Sequence, residues 1–319
     1  MTLTDPAETT DAIRDEIHRA VIAEDEFLRT ILAGLLAEGH VLLEDVPGTG
    51  KTLTARSFAE TLGLSFNRVQ FTPDLLPSDI TGVEVYDEHT ASFAFNPGPV
   101  FANVVLADEI NRAPPKTQAA LLEAMEERQV TVSGETHELP DPFFVIATQN
   151  PVEQEGTFQL PEAQVDRFMM KSSLGYPDEA GELELVNRRL SRRTKDPEVE
   201  AVVDTETVRE LQSVPEDIHV EEAIREYIVG IARKTRTDSR VDVGVSPRGT
   251  QRFVEVCRSW AMQAGRDYVA PEDVKAAAPA ALAHRLVLTT EAEMRSVDKR
   301  AVVRDALDAI EVPEVANPV

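Results

Sequence analysis

A glycine-rich segment that ends in lysine and threonine carries the clearest chemical signal in the sequence. It directly follows an apolar run over residues 40–46 and directly precedes a helical pattern. Glycines let backbone amides close around a phosphate at a helix N-terminus, lysine reaches the β and γ oxygens, and threonine can ligate magnesium. The strict pattern has glycine where this chain has Asp45, yet the glycines nearest the phosphates are present. The predicted phosphate-binding residues are Pro47, Gly48, Thr49, Gly50, Lys51, Thr52 and Leu53, with Thr52 also a magnesium ligand.

Two adjacent carboxylates follow a second apolar run. Residues 104–107 are apolar and end in Asp108 and Glu109. After a phosphate loop, such a pair can divide the work of nucleotide hydrolysis: Asp108 holds magnesium through water, and Glu109 polarises the attacking water. A third apolar run, 143–149, ends in Asn150 and Pro151. Asn150 could orient water beside the γ-phosphate, with an ordinary Asn-Pro turn as the alternative. The residues predict a nucleoside triphosphatase.

These residues need a sheet whose strands end at one edge, and the periodicity predicts one. Apolar runs predict strands at 40–46, 66–71, 104–108, 143–149 and 167–174, with helices at 52–62 and 116–127. Such alternation is typical of an α/β fold with a mostly parallel sheet. Two helices broken near 23–25 precede it, and the segments 83–95 and 129–137 read as projecting hairpins.

Beyond residue 177 the apolar residues recur almost only at helical spacing, which predicts an all-helical second domain. The predicted domains are therefore 1–177 and 178–319. The charged stretch 188–197 is interpreted as an exposed linker or helix end. The single cysteine, Cys257, falls in an apolar helical pattern and is expected to be buried. The six histidines have no metal-ligand spacing and are expected at the surface or at strand edges.

Composition narrows the function classes. The 319 residues carry 57 Asp plus Glu against 32 Lys plus Arg, a net charge of −25. This acidity resembles the solvated surfaces of proteins from salt-loving organisms, an acidic partner-binding face being the alternative. It disfavours binding to nucleic-acid phosphates, which depends on clustered cations. The apolar runs are far shorter than a membrane span, and the N-terminus lacks a signal pattern, so a cytoplasmic location is expected.

Five ordered segments resemble the MoxR group of AAA+ ATPases: residues 39–52, 70–79, 108–113, 147–151 and 160–168. Residues 246–248 and 265–269 extend the similarity into the helical part. The resemblance implies an AAA+ P-loop core with a parallel five-stranded sheet, two hairpin insertions and a helical lid. It also implies ATP and Mg²⁺ as ligands.

The resemblance further implies roles for three residues. Asn150 resembles the sensor-one residue, Arg167 the arginine finger that a neighbouring subunit supplies, and Arg248 the sensor-two residue of the lid. Ordinary alternatives are a salt bridge from Arg167 to Asp166 or Glu162 and a first-turn helix arginine at 248; whether Arg248 serves its own subunit stays open. Val21 and Ile22 correspond to a segment near the adenine, although Ala23-Glu24 follows them where relatives often have Gly-Gln.

The resemblance implies a ring, hexameric by analogy, that couples magnesium-dependent ATP hydrolysis to remodelling or maturation of client proteins, with von Willebrand factor A domain proteins as possible partners. A nucleic-acid motor is one alternative, disfavoured because the hairpin at 129–137 carries only acidic and neutral groups. A metal-chelatase motor subunit and a nucleotide-dependent binding module that hardly hydrolyses ATP are the others.

Overall fold

The computed structural model describes residues 5–89, 91–151 and 156–313. Its helices are α1 (Pro6–Ala20), α2 (Asp25–Leu36), α3 (Lys51–Thr61), α4 (Pro77–Thr81), α5 (Pro115–Glu127), α6 (Glu162–Val165), α7 (Glu179–Ser191), α8 (Thr205–Ser213), α9 (Glu222–Thr237), α10 (Pro247–Gln263), α11 (Pro271–Leu282), α12 (Thr290–Met294) and α13 (Lys299–Asp308). Short 3-10 turns occupy Ile110–Arg112, Val214–Asp217 and Ala283–Arg285.

The strands are β1 (Val41–Glu44), β2 (Phe66–Gln70), β3 (Gly82–Asp87), β4 (Ser92–Pro97), β5 (Val104–Asp108), β6 (Gln129–Val132), β7 (Glu135–Glu138), β8 (Phe144–Gln149), β9 (Met170–Ser172), β10 (Val241–Val243) and β11 (Val287–Leu288). Five of them form one parallel sheet in the order β2, β5, β8, β1, β9. The interior strand β5 is buried along its whole length, as expected for a parallel sheet covered on both faces. The predicted five-stranded parallel sheet is confirmed.

Two of these strands are shorter than predicted by three residues or more. The chain leaves the sheet after Glu44 in β1 and after Ser172 in β9. The first residues after the two strands are hydrogen-bonded to each other: the Ser173 hydroxyl donates to Asp45 Oδ1 at 2.7 Å. The loops after β1, β5 and β8 leave the same edge of the sheet, because parallel strands end on the same side. This edge positions all the predicted phosphate-site residues.

Two antiparallel hairpins stand apart from the main sheet, as predicted. One pairs β3 with β4 and the other pairs β6 with β7. They contact each other where Phe95 stacks on His137 with ring centroids 3.8 Å apart. The first hairpin exposes a pair of aromatic rings, Tyr86 and Phe93, whose centroids lie 5.3 Å apart; Phe93 is 67% exposed.

Helices dominate the chain after residue 178, but not completely. β10 and β11 form a short antiparallel pair between the helices, where the sequence predicted helices alone. Strands of two or three residues are too short for alternating polarity to reveal them. The boundary between residues 177 and 178 stays a prediction. Among the described helices, none has both the length and the apolar character needed to cross a bilayer.

The helices of the C-terminal part pack against the N-terminal helices α1 and α2. The Arg29 guanidinium lies 4.6 Å from the centroid of the Trp260 ring on α10, a cation–π distance. Gln263 of α10 donates to the backbone carbonyl of Arg29 at 3.2 Å. One continuous apolar core joins these helices to one face of the sheet, while a second core lies on the other face under α5.

Candidate active site

The glycine-rich loop has the conformation that a phosphate cradle requires. Gly48 and Gly50 adopt φ angles of 87° and 99°, a region that glycine enters without steric cost. Gly50 is the N-cap of α3, so the helix N-terminus and its free amides face the loop. Lys51 is buried, and its Nζ donates to the carbonyls of Asp45 and Val46 at 2.9 and 2.8 Å. A buried ammonium held by neutral carbonyls suits an anionic ligand.

Asp45, which stands where the strict pattern has glycine, has a structural role in this loop. Its buried carboxylate accepts three hydrogen bonds: from the Ser173 hydroxyl at 2.7 Å, from the Leu174 amide at 2.7 Å and from the Gly175 amide at 2.9 Å. These bonds tie the start of the phosphate loop to the chain that leaves β9. Asp45 is therefore a structural anchor and is directed away from the phosphate cradle.

The acidic pair lies at the carboxyl end of β5, as predicted. The Thr148 hydroxyl links both members: it donates to Asp108 Oδ1 at 2.6 Å and accepts from the Glu109 amide at 2.8 Å. The backbone of Glu109 adopts a left-handed conformation with φ 57°. This conformation is uncommon outside glycine and is often found at functional sites. Thr148 therefore ties the Asp108 carboxylate to the Glu109 backbone.

Two residues of β2 contact the acidic pair, and neither was predicted from the sequence. Arg68 donates to Asp108 Oδ2 from Nη2 at 2.6 Å and from Nε at 3.1 Å. Gln70 Nε2 donates to Glu109 Oε2 at 2.7 Å. β2 pairs with β5 so that Gln70 stands opposite Asp108. The alternation of polar residues at 68 and 70 before the 70–79 motif was the available signal, but it needed the strand order to be interpreted.

These groups line one cavity of about 570 Å³. Six of the seven predicted loop residues line it, together with Asp108, Glu109 and the buried Asn150. Thr49 is the exception, and its hydroxyl donates to the Val46 carbonyl at 3.4 Å. The chain after α7 also reaches the cavity, where Asp196 lies 3.5 Å from Arg56. Part of the stretch predicted as an exposed linker thus borders the phosphate site.

The segment predicted to contact adenine is not among the described residues that line this cavity. Val21 is buried at the end of α1. Ile22 lies against α7, where a Cβ added at Gly181 would come within 3.3 Å of its Cγ2. A role of these residues in binding the base therefore stays a prediction.

Arg167 and Arg248 lie together in a second cavity of about 270 Å³. Neither is among the described residues that line the phosphate cavity. Both contact one carboxylate: Arg167 Nε is 3.3 Å from Glu126 Oε2, and Arg248 Nη1 is 2.9 Å from Glu126 Oε1. The expected alternative partners of Arg167 were Asp166 and Glu162, and the ion pair goes to Glu126 instead. Arg248 does lie in the first turn of α10, after the N-cap Ser246.

The backbone beside Arg167 is held by a buried arginine from the C-terminal part. Arg285 donates to the carbonyls of Asp166 and Phe168 at 2.8 and 3.0 Å and also pairs with the Asp166 carboxylate. Burial lowers the pKa of Arg285, and Asp166 opposes that shift. His284 Nε2 lies 3.0 Å from the same Phe168 carbonyl. The segment that carries Arg167 is therefore anchored to the helical part of its own chain.

Two histidines expected at the surface or at strand edges are buried. His40 Nδ1 accepts from the Val145 amide at 3.0 Å, so its Nε2 carries the proton and donates to the Met125 carbonyl at 3.0 Å. Burial lowers the pKa of His40 to about 4 and lowers that of His284 well below its ordinary value. Cys257 is buried as predicted, and burial raises the pKa of its thiol.

The donor set of the phosphate cavity fits magnesium. Thr52 and Asp108 both line it, and one hydroxyl with one carboxylate, completed by phosphate oxygens and water, is the ligand set Mg²⁺ commonly uses. Within the described residues no group of three or more His, Cys, Asp or Glu side chains is arranged to hold a metal ion.

Comparisons with known proteins agree with this geometry. Residues 40–170 match the model of the ATPase family associated with various cellular activities (AAA), and residues 233–306 match the AAA lid domain. Chaperone MoxR1 of Mycobacterium tuberculosis is 42% identical over 309 residues, 94% of this chain and 81% of that protein. Protein MoxR of Methylorubrum extorquens is 34% identical over 331 residues, 97% and 95% of the two chains.

Two further relatives are at least 40% identical to this chain. The uncharacterized protein YeaC of Bacillus subtilis is 48% identical over 300 residues, 94% of this chain and 93% of that protein. A crystal structure from Cytophaga hutchinsonii, described as that of a candidate ATPase, superposes with a TM-score of 0.90 at 40% identity and covers 97% and 96% of the two chains. The likeness thus extends over nearly the whole chain, including both hairpins and the C-terminal helices.

Proposed function

Because the chain belongs to the MoxR family of AAA+ ATPases, we propose that it hydrolyses ATP with magnesium in the cavity above β1, β5 and β8. One observation carries the proposal: Lys51, Asp108, Glu109 and Asn150 all line that single cavity. A cation, two carboxylates and a neutral amide are the groups that phosphoryl transfer to water requires.

Each side chain then has a defined task. The loop amides and Lys51 bind the β and γ phosphates, and Thr52 with Asp108 holds magnesium. Bound there, the metal ion would neutralise charge on the β and γ oxygens. Glu109 accepts the proton of the attacking water, and Asn150 orients that water. Gln70 donates to Glu109 at 2.7 Å, so its hydrogen bond must weaken for the base to act at full strength.

The second cavity supports assembly between subunits. Arg167 and Arg248 share it, apart from the phosphate cavity of their own chain. We propose that both arginines reach the ATP of a neighbouring subunit, in a ring that family resemblance makes hexameric. An arginine supplied in trans stabilises charge in the transition state and is worth a thousandfold or more in rate, on the order of 10³–10⁵. Turnover should then depend on assembly.

The proposed biological role is remodelling or maturation of client proteins. A relative with 42% identity is named a chaperone, and the exposed Tyr86 and Phe93 of the first hairpin offer an apolar contact for an unfolded segment. A partner with a von Willebrand factor A domain rests on resemblance alone. The second hairpin carries Glu135 and Glu138, which favours a protein client over a nucleic acid. A motor subunit of a metal chelatase stays a second candidate function, because the same AAA+ core could serve it.

The decisive experiment measures ATP turnover and ATP binding separately. Glu109→Gln should lower kcat by about 10²–10⁴-fold and keep ATP affinity within a few-fold, since the loop is unchanged. Glu123→Gln, an exposed carboxylate on α5, is the matched control and should behave as the wild type. Turnover per subunit should also rise with protein concentration, and Arg167→Ala should abolish that rise. Unchanged turnover in Glu109→Gln would overturn the assignment of the base.

A further inference from the structure

One carboxylate holds both arginines of the second cavity. Glu126 Oε1 lies 2.9 Å from Arg248 Nη1, and Oε2 lies 3.3 Å from Arg167 Nε. The three residues come from separate elements: the last turn of α5, the loop after α6, and the first turn of α10. Glu126 therefore joins the α/β part of the chain to the helical part at the point where the two arginines meet.

The surrounding charges give this carboxylate a specific electrostatic task. Five arginines and three carboxylates line the cavity, in a chain whose net charge is −25. The other two carboxylates have their own partners: Glu38 contacts Arg128 at 2.7 Å, and Asp166 pairs with Arg285. Within the described structure, Glu126 is thus the carboxylate that offsets the repulsion between Arg167 and Arg248.

Arg248 needs such an offset for a second reason. It occupies the first turn of α10, where the helix dipole disfavours a cation. A cation kept at an unfavourable helix position, about half exposed with 48% of its side chain accessible, contributes little to the stability of its own chain. Its value must come from what it contacts outside the helix.

The contacts also leave the correct atoms available. The closest contact between Glu126 and Arg167 is made by Nε, so both terminal amino groups of that guanidinium lie farther from the carboxylate. Its closest contact with Arg248 is to Nη1. A phosphate is bound by the terminal groups of arginine in a bidentate manner. The carboxylate can therefore hold both guanidinium groups while its closest contacts spare the two terminal groups of Arg167 and Nη2 of Arg248.

We infer that Glu126 is a positioning residue, which holds Arg167 and Arg248 at the spacing required to bind the triphosphate of a neighbouring subunit together. The inference rests on the proposed function, in which both arginines act in trans. Glu126 itself contacts no substrate. It orients the two guanidinium groups before the subunits meet. The entropy of ordering these side chains is therefore not lost during the reaction.

Glu126→Gln is the test, because the amide keeps the size of the side chain but presents an NH₂ group to one arginine. Misplacing transition-state groups by about 1 Å costs on the order of 10²-fold, so kcat at saturating protein should fall by about 10- to 100-fold while KM for ATP changes by less than about threefold. Glu127→Gln removes the same charge one residue away, from an exposed side chain, and should match the wild type. Glu126→Asp retains the charge and should recover part of the rate.

A positioning role also predicts non-additivity. In a chain with Arg167→Ala and Arg248→Ala, adding Glu126→Gln should cause no further loss, since nothing remains to be positioned. If Glu126→Gln matches Glu127→Gln while the arginine variants are slow, the inference is overturned and the proposed function stands. A full further loss in the double-alanine chain would also overturn the inference, because Glu126 would then act elsewhere. If Arg167→Ala and Arg248→Ala leave turnover unchanged, the trans role in the proposed function fails.

A folding defect would be detected independently of activity. Urea midpoints followed by the fluorescence of Trp260, the single tryptophan, should agree within error for all Glu126 and Glu127 variants, because neither side chain is buried and partly exposed ion pairs contribute little to stability. If Glu126→Gln lowers the midpoint strongly, Glu126→Asp carries the decision. At a wild-type midpoint, turnover of Glu126→Asp between that of the double-alanine chain and that of the wild type would then support the inference, and turnover no higher than that of the double-alanine chain would overturn it.

Discussion

Acid should destabilise this chain through His40 well before most carboxylates titrate. His40 is buried between strands and α5, where its Nδ1 accepts from the Val145 amide and its Nε2 donates to the Met125 carbonyl. A second proton on Nδ1 would break the first of these bonds and place a charge in the core. Burial therefore lowers the pKa of His40 from 6.5 to about 4. The folded state thus binds this proton more weakly than the unfolded state does.

The sign and size follow from linkage. Between pH 6.5 and 4 the unfolded chain carries the proton on this group and the folded chain does not, so the free energy of unfolding falls as the pH falls. The full shift corresponds to about 3 kcal/mol, of which about 2 kcal/mol is lost between pH 7.5 and pH 5. That amount is a large part of the roughly 5–15 kcal/mol typical of a domain. His284, whose pKa burial also lowers, acts in the same direction.

The assay compares the wild type with His40→Asn across pH. Urea unfolding followed by Trp260 fluorescence gives the free energy of unfolding at each pH. His40→Asn should be the less stable protein at pH 7.5, because the shorter amide replaces the paired ring poorly, and the gap should narrow by about 2 kcal/mol at pH 5. The difference in unfolding free energy between the wild type and His284→Asn should likewise become smaller as the pH falls. A gap that stays constant from pH 7.5 to 5 would refute the reasoning, since His40 would then titrate alike in both states.

Three further predictions concern single side chains. Asp45→Gly restores the strict glycine pattern but removes the acceptor of three hydrogen bonds from residues 173–175. The free energy of unfolding, measured in urea, should therefore fall by about 2 kcal/mol or more, and ATP should bind less tightly. Tighter ATP binding would contradict the anchoring role of Asp45. Gln70→Ala removes the hydrogen bond that Glu109 accepts, and steady-state ATP turnover should rise about three- to tenfold; a fall would mean that Gln70 positions the base. Cys257 is buried with a raised pKa, so a thiol reagent should modify it only at urea concentrations that unfold the chain, and rapid modification of the native chain would contradict its burial.

Local chemistry was readable from the sequence because it is local in the chain. The loop residues 47–53 and the pair Asp108 and Glu109 are contiguous, and apolar strands mark where each begins. Their partners Arg68 and Gln70 were missed because they act across the sheet. Nothing in one sequence states that β2 lies beside β5, and only that neighbourhood turns two polar residues of a strand into ligands of the acidic pair.

The ion pairs show the same limit in another form. Sequence proximity suggested Asp166 as the partner of Arg167. The Asp166 carboxylate instead forms an ion pair with Arg285, which lies in the helical part of the chain. Arg167 pairs instead with Glu126, on the helix that follows the acidic pair. Likewise, His40 looked like an ordinary strand-edge residue because burial of one polar ring is set by what packs over it, here α5 and the neighbouring strand β8.

The position of the lid helices bears on whether Arg248 acts within its own chain. Among the described residues, none after Asp196 lines the phosphate cavity. To bring α10 over that cavity, the chain would have to separate it from α1 and α2, with which it shares the continuous apolar core and the contact between Arg29 and Trp260. Each 100 Å² of apolar surface exposed by that separation would cost about 2.5 kcal/mol. A neighbouring subunit can present Arg248 and Arg167 to the phosphates without that cost, which favours completion of the site between subunits over closure of the lid within one.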